Sequence, residues 1–128
     1  MITINDFNRI GEYLFRFIYN LGEITYSSVV SFKEACTDAH FNSVFPLIQE
    51  NLLWLEQSVD TLMDLIEEKL PENVDVNEFK QLHIVSFSLN FEENSDVPII
   101  QIAYGDDGVY LIVGIKEQQI FLITLNEE

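Results

Sequence analysis

The stretch from Pro46 to Leu70 constrains the fold of this chain more than any other part of it. Aliphatic residues recur there at steps of four and three, a spacing that places side chains along one side of an α-helix. They are Ile48, Leu52, Leu55, Val59, Leu62 and Ile66. Pro46 is tolerated only in the first turn of a helix, and Pro71 lies just beyond the last residue. The sequence therefore predicts a long helix over about 44–70, with an apolar side that other residues cover.

The opposite side of this helix carries what we call the acidic row. Its residues, spaced four apart, are Glu56, Asp60, Asp64 and Glu68, with Glu67 beside them and Glu72, Asp75 and Glu78 extending them. Like charges four residues apart destabilise a helix by about 0.2–0.5 kcal/mol per pair. No Lys or Arg occurs in the predicted helix before Lys69. We interpret these acids as a surface that faces a partner, and the alternative is a solvated face that only keeps the protein soluble.

The first 40 residues contain two further helical patterns. Apolar residues at steps of three and four predict a helix over 4–20, and they are Phe7, Ile10, Leu14, Phe17 and Leu21. Ser31 and Glu34 have the spacing of a capping box, which predicts a second helix near 29–40. Alternation of apolar and polar residues over 24–32 favours a strand as the alternative.

From Leu82 onward the pattern changes to the period of two that is typical of β-strands. Four strands are expected, over 85–91, 100–104, 109–115 and 120–125, joined by short polar turns. Short turns between successive strands indicate an antiparallel meander. The predicted fold is α+β, a single domain over 1–128 in which N-terminal helices pack on a C-terminal four-stranded antiparallel β-meander.

The last two predicted strands are apolar on both faces. Simple alternation would place polar residues on the second face, but the residues there are apolar: Tyr110, Ile112, Phe121, Ile123 and Leu125. A strand that is apolar on both faces is usually covered on both faces. Either the predicted N-terminal helix or a second copy of the chain covers the second face of these strands. In the second case the oligomer interface consists of Tyr110, Ile112, Phe121 and Ile123.

Charge excludes several classes of partner. The chain has 22 acidic and 6 basic residues and a net charge of −16, which repels nucleic acid and anionic membranes and attracts basic proteins. The opening MITINDFNRI has no basic and apolar signal pattern, and no apolar run approaches the about 20 residues of a membrane span. A single cysteine, Cys36, fits a reducing compartment. We expect a cytoplasmic protein.

One short motif has a counterpart in an enzyme family. Tyr104, Gly105, Asp106 and Asp107 lie between two apolar strands and resemble the metal-binding turn of viral RNA-dependent RNA polymerases. The resemblance covers four of 128 residues, and the anionic chain would repel a nucleic-acid template. A tight turn accounts for the glycine and both aspartates without a metal.

A second candidate for chemistry is the pair Cys36 and His40, four residues apart on the predicted second helix. Such a pair can act as nucleophile and base, or as two metal ligands. Two ligands are too few for a metal site, and a buried Cys beside a surface His is the commoner arrangement. We therefore predict no catalytic site, no metal and no cofactor.

These observations favour a non-catalytic protein that binds a basic protein partner. In size, charge and lack of catalytic motifs the chain is similar to small bacterial immunity proteins and nuclease inhibitors. The alternative is a homo-oligomeric structural or adaptor protein that uses the apolar sheet face, with a homodimer as its simplest form. A small enzyme is third, and Cys36, His40, Asp106 and Asp107 are its candidate residues.

Overall fold

A seven-stranded β-sheet, crossed on one face by a long helix, forms the part of the protein that the computed structural model describes, residues 2–126. In chain order the elements are a 3-10 turn (Ile4–Asp6), β1 (Asn8–Ile10), β2 (Leu14–Leu21), β3 (Ile24–Phe32), α1 (Asp38–Glu67), α2 (Val76–Lys80), β4 (His83–Phe91), β5 (Pro98–Gly105), β6 (Val109–Lys116) and β7 (Gln119–Leu125). The strands lie in the sheet in the order of the sequence. All neighbours are antiparallel except β3 and β4, which are parallel. Because a parallel pair needs a crossover, α1 and α2 connect these two strands.

The core forms where α1 packs against one face of the sheet. The helix contributes fully buried side chains from the apolar side that the sequence predicts: Ile48, Leu52, Leu55, Leu62 and Ile66. The sheet contributes fully buried side chains from its central strands: Val30, Leu89, Ile100, Ile102, Leu111 and Val113. Burying one such side chain is worth about 1.5–3 kcal/mol, so the match of these two apolar surfaces fixes the helix on the sheet.

The predicted N-terminal helix over 4–20 is wrong. The segment forms the 3-10 turn, β1 and most of β2, and Gly11 turns the chain between the two strands with a φ of +75°. In β2, Phe15 and Phe17 are buried while the residues next to them are more exposed, which is the period of two. The ring of Phe15 stacks on that of Phe41 in α1 at 4.0 Å between centroids. The apolar spacing of this segment fits both a helix and a strand, and packing against α1 favours the strand.

The predicted helix near 29–40 is also wrong, because its first residues belong to β3. The competing strand pattern describes this segment. The Ser31 hydroxyl does not cap a helix but donates to the side-chain oxygen of Asn90 on β4 at 2.6 Å. Thr37 caps α1 instead, since its hydroxyl oxygen accepts the backbone N–H three residues later at 3.1 Å.

The long helix begins earlier than the predicted residue 44. It starts at Asp38, so Pro46 lies in its interior rather than in its first turn. A proline removes the hydrogen bond to the carbonyl four residues before it, here that of Asn42. Both Pro46 and Asn42 are exposed, which allows water to satisfy this carbonyl. The solvated position explains why the proline does not mark the start of the helix.

A four-stranded C-terminal meander is wrong as well, because the sheet has seven strands. The strands β4 to β7 are consecutive and antiparallel within it, and β3 pairs with β4 through registers such as Val30 with Leu89. Residues 14–21 form β2 in the same sheet, so within residues 2–126 no N-terminal helix covers the outer face, the face of the sheet away from α1.

Candidate functional site at one end of the sheet

Acidic side chains gather at the end of the sheet where β2 turns into β3, β4 begins and β5 turns into β6. The second half of α1 lies over this end, together with α2. Two cavities open there and share Leu82 in their walls. We call this region the acidic end, and its exposed acids are Glu23, Asp60, Glu78, Asp106 and Asp107.

Three members of the acidic row have free carboxylates. Asp60, Asp64 and Glu68 are exposed, and none forms an ion pair or a side-chain hydrogen bond within the described part of the chain. Asp60 also lines one of the two cavities, so it connects the acidic row with the acidic end. These three carboxylates are the part of the predicted surface on α1 that remains open to a partner.

The other predicted acids of α1 have partners within the fold. The Tyr19 hydroxyl donates to a carboxylate oxygen of Glu56 at 3.0 Å. Burial, the hydrogen bond to Glu56 and the negative charge of that carboxylate together raise the pKa of Tyr19 to about 12. A carboxylate oxygen of Glu67 lies 3.5 Å from the Lys80 ammonium on α2. Glu56 and Glu67 therefore help to hold α1 to its neighbours.

The acids beyond α1 are divided between structural contacts and solvent. Asp75 caps α2, since its carboxylate accepts the backbone N–H groups of Asn77 at 2.8 Å and Glu78 at 3.4 Å. The Tyr110 hydroxyl lies 3.5 Å from a carboxylate oxygen of Glu78, a long contact. Glu72 is exposed. The structure thus places Glu78 in the acidic end and uses Asp75 to start a helix.

Two ion pairs lie at the opposite end of the sheet, where β2 begins and β3 ends. The Arg9 guanidinium lies 2.7 Å from Asp38 at the start of α1, and the Lys33 ammonium lies 3.9 Å from Glu92. Exposed pairs of this kind contribute about 0–1 kcal/mol each. They compensate two carboxylates of that end, whereas Asp60, Asp64 and Glu68 on the second half of α1 have no ion pair within residues 2–126.

One cavity of the acidic end, which we call the tyrosine cavity, has a volume of about 490 Å³. The β2–β3 turn, α1, the start of β4 and the end of β5 form its walls: Leu21, Gly22, Glu23, Ile24, Tyr26, Val59, Asp60, Met63, Leu82, His83, Ile84 and Tyr104. The Tyr26 hydroxyl donates to the backbone carbonyl of Ile84 at 3.0 Å. The Tyr104 hydroxyl is buried, and no group of residues 2–126 forms a hydrogen bond with it. Burial raises the pKa of Tyr104, and the neighbouring Tyr26 adds to the effect.

Sequence reasoning missed this cavity, and it treats Tyr104 only as an apolar strand residue and part of a turn motif. The available signal is chemical: a tyrosine at a buried strand position brings a hydroxyl that needs a partner. The Tyr26 hydroxyl donates a hydrogen bond to the Ile84 carbonyl, whereas the Tyr104 hydroxyl has no hydrogen-bond partner within residues 2–126.

The second cavity, of about 540 Å³, is bordered by α2 and the β5–β6 turn and includes Asp106 and Asp107. Both aspartates are exposed. A Cβ atom on Gly105 would clash with the backbone carbonyl oxygen of Gly108, so the turn is tight enough to require glycine there. Within residues 2–126, no group of three or more His, Cys, Asp or Glu side chains is placed to hold a metal ion.

Cys36 and His40 lie on either side of the start of α1, not on a second helix. Cys36 is buried, and its thiol contacts the carbonyl oxygen of Thr37 at 3.5 Å. Burial raises the pKa of the Cys36 thiol, which disfavours the reactive thiolate. The His40 imidazole lies 3.6 Å from Asp96. The structure therefore gives each side chain a separate local contact.

The four residues of the predicted oligomer interface do not share one face. Ile123 pairs with the buried Val113 and so lies on the helix side of the sheet. Ile112 alternates with Val113 and lies on the outer face. The Phe121 ring lies over Gly114 on that outer face and is 55% exposed. Tyr110 borders the second cavity instead.

Comparisons of the chain with protein-family models, with curated proteins and with solved structures find no match. Across residues 2–126, the helices are too short or too polar to cross a membrane.

Proposed function

We propose that this protein binds a basic protein partner, without catalysis, through the acidic row and the adjoining acidic end. The observation that supports the proposal most directly is the exposure of Asp60, Asp64 and Glu68 without an ion pair within residues 2–126. Like charges on one side of a helix destabilise it, and among residues 2–126 two of these acids, Glu56 and Glu67, have side-chain partners that offset the cost.

The charge of the whole chain favours the same kind of partner. A net charge of −16 attracts basic proteins over long distances and raises their association rate. Asp60, Asp64 and Glu68 form no ion pair within residues 2–126, so the second half of α1 offers carboxylates that a basic partner can pair with. A toxin or nuclease with a basic active surface has the required chemistry, and the protein would then act as its immunity protein or inhibitor. We place this role in the cytoplasm, where the lone thiol of Cys36 stays reduced.

Capture from a lysate of the native host at low salt tests the proposal with three baits. The first is the wild-type protein, and the second carries Asp60→Asn, Asp64→Asn and Glu68→Gln. The control bait has the same change of charge at exposed acids of the opposite end, and its substitutions are Glu12→Gln, Glu34→Gln and Glu93→Gln. We expect mass spectrometry to find a basic protein on the wild-type and control baits that the row variant loses. Identical proteins on all three baits would contradict the proposal.

A second candidate function, assembly of identical copies, is favoured by the edge strand β7. This strand ends the sheet, contains no charged residue and exposes Phe121 by 55% and Leu122 by 50%. An apolar edge strand pairs readily with another strand, and here two copies meet without charge repulsion along the strand itself. Light scattering tests this candidate: a wild-type dimer that Phe121→Asp converts to a folded monomer supports it. A wild-type particle with the mass of one chain excludes it.

A further inference from the structure

We propose that the tyrosine cavity binds a small arylalkylamine with a phenolic hydroxyl, with the hydroxyl at Tyr104 and the ammonium group at the rim. The proposal does not depend on a protein partner, although Asp60 belongs to both surfaces. It rests on three features of one cavity: apolar walls, a buried hydroxyl without a partner and carboxylates at the mouth.

The walls suit an aromatic ring. Leu21 and Ile84 are buried, while Val59, Met63 and Leu82 are half-buried and pack on the core. The volume of about 490 Å³ falls within the range of small-molecule sites, about 300–1,000 Å³. An apolar ring in this space would cover half-buried side chains that now contact water.

The buried hydroxyl supplies the polar contact. Tyr104 is 2% exposed, and its hydroxyl has no hydrogen-bond partner in the described part of the chain. The nearby Tyr26 hydroxyl is already committed to the Ile84 carbonyl. A hydroxyl that is buried without a partner is costly, and a ligand hydroxyl can both donate to it and accept from it. The recognition is selective, because an analogue that lacks this group leaves Tyr104 unpaired.

The rim selects a cation. Glu23 and Asp60 line the cavity, are exposed and form no ion pair within residues 2–126. His83 is exposed beside them, and no Lys or Arg is among the described residues of the wall. An ammonium group at this position makes charge-assisted hydrogen bonds, whereas a carboxylate or phosphate is repelled.

Three probes separate these features in calorimetric titrations of the full chain. Tyramine has the ring, hydroxyl and amine, phenethylamine lacks the hydroxyl, and 4-ethylphenol lacks the amine. We expect tyramine to bind about tenfold more tightly than either analogue, since each lost contact is worth about one hydrogen bond. Amide shifts in NMR spectra should map tyramine to the cavity wall. Absence of saturable tyramine binding at millimolar concentration, or shifts that map elsewhere, would overturn the proposal.

Two variants and a control assign the contacts. Tyr104→Phe should weaken tyramine about tenfold and leave phenethylamine unchanged, because only tyramine has a hydroxyl to lose its partner. Asp60→Asn should weaken both amines but not 4-ethylphenol. Asp64→Asn, one turn further along α1 and outside the cavity wall, should change none of them. Equal losses of tyramine and phenethylamine affinity in a folded Tyr104→Phe protein would refute the assigned orientation. The capture experiment does not use the amine probes, so a failure of tyramine to bind would leave its result unchanged.

Discussion

Replacing Tyr104 by Phe tests the account of the buried hydroxyl without any ligand. The ring of Tyr104 packs against that of Phe79 at 5.8 Å between centroids, and phenylalanine keeps this contact. What the substitution removes is a hydroxyl that is buried without a partner. Such a group costs about 1–3 kcal/mol of desolvation, so we expect the free energy of unfolding at pH 7 to rise by about 1 kcal/mol.

The same substitution should change how stability depends on alkaline pH. Burial raises the pKa of Tyr104 in the folded protein, whereas in the unfolded chain it ionises near pH 10. Above pH 10 the unfolded chain therefore binds fewer protons than the folded one, and stability falls as pH rises. The contribution of one tyrosine is about 1.4 kcal/mol per pH unit until the folded pKa is reached. Tyr104→Phe lacks this contribution, so its advantage over the wild type should grow above pH 10.

Urea unfolding followed by circular dichroism at pH 7 and at pH 11 measures both effects. Tyr26→Phe is the matched control, because it removes a hydroxyl that donates to the Ile84 carbonyl at 3.0 Å. We expect the control to lose about 1 kcal/mol at pH 7. A loss of more than about 1 kcal/mol in Tyr104→Phe would show that its hydroxyl is hydrogen-bonded and would refute the reasoning.

Four further variants test the fold and the turn motif. Leu52→Ala should lower the free energy of unfolding by about 2–5 kcal/mol, since its side chain is fully buried between α1 and the sheet; a loss under about 1 kcal/mol would contradict that packing. Gly105→Ala should cost about 3 kcal/mol in thermal or urea unfolding, because its Cβ meets the Gly108 carbonyl, whereas Gly108→Ala has free space and should cost far less. Asp106→Asn with Asp107→Asn should change stability by at most about 1 kcal/mol, and calorimetry should detect no saturable magnesium binding at this turn.

The sequence predicts the central part of α1 because its apolar spacing continues, without a break, from Ile48 to Ile66. The N-terminal pattern is ambiguous, since Phe17 and Leu21 lie four apart and so satisfy a period of two as well as a helical one. Contacts with α1 decide between the two, and such contacts are distant in sequence: Phe15 stacks on Phe41. Local patterns therefore identify the helix, give β3 only as an alternative to a helix, and miss β1 and β2.

The acidic row is visible in the sequence, but its free and occupied members are not. Whether a carboxylate has a partner depends on β2 for Glu56 and on α2 for Glu67. The tyrosine cavity is still less accessible to sequence reasoning, because segments around Leu21, Asp60, Leu82 and Tyr104 meet only in the folded chain.

The association rate of the captured partner, measured between about 50 and 500 mM salt, tests the central claim most directly. The Debye length shrinks about threefold over this range, so the wild-type rate should fall steeply. The variant with Asp60→Asn, Asp64→Asn and Glu68→Gln should associate more slowly at low salt and depend less on salt, with an unchanged or slightly higher melting temperature. The charge-matched control at the opposite end should stay close to the wild type. Wild-type association by the row variant at low salt would remove the acidic row from the mechanism.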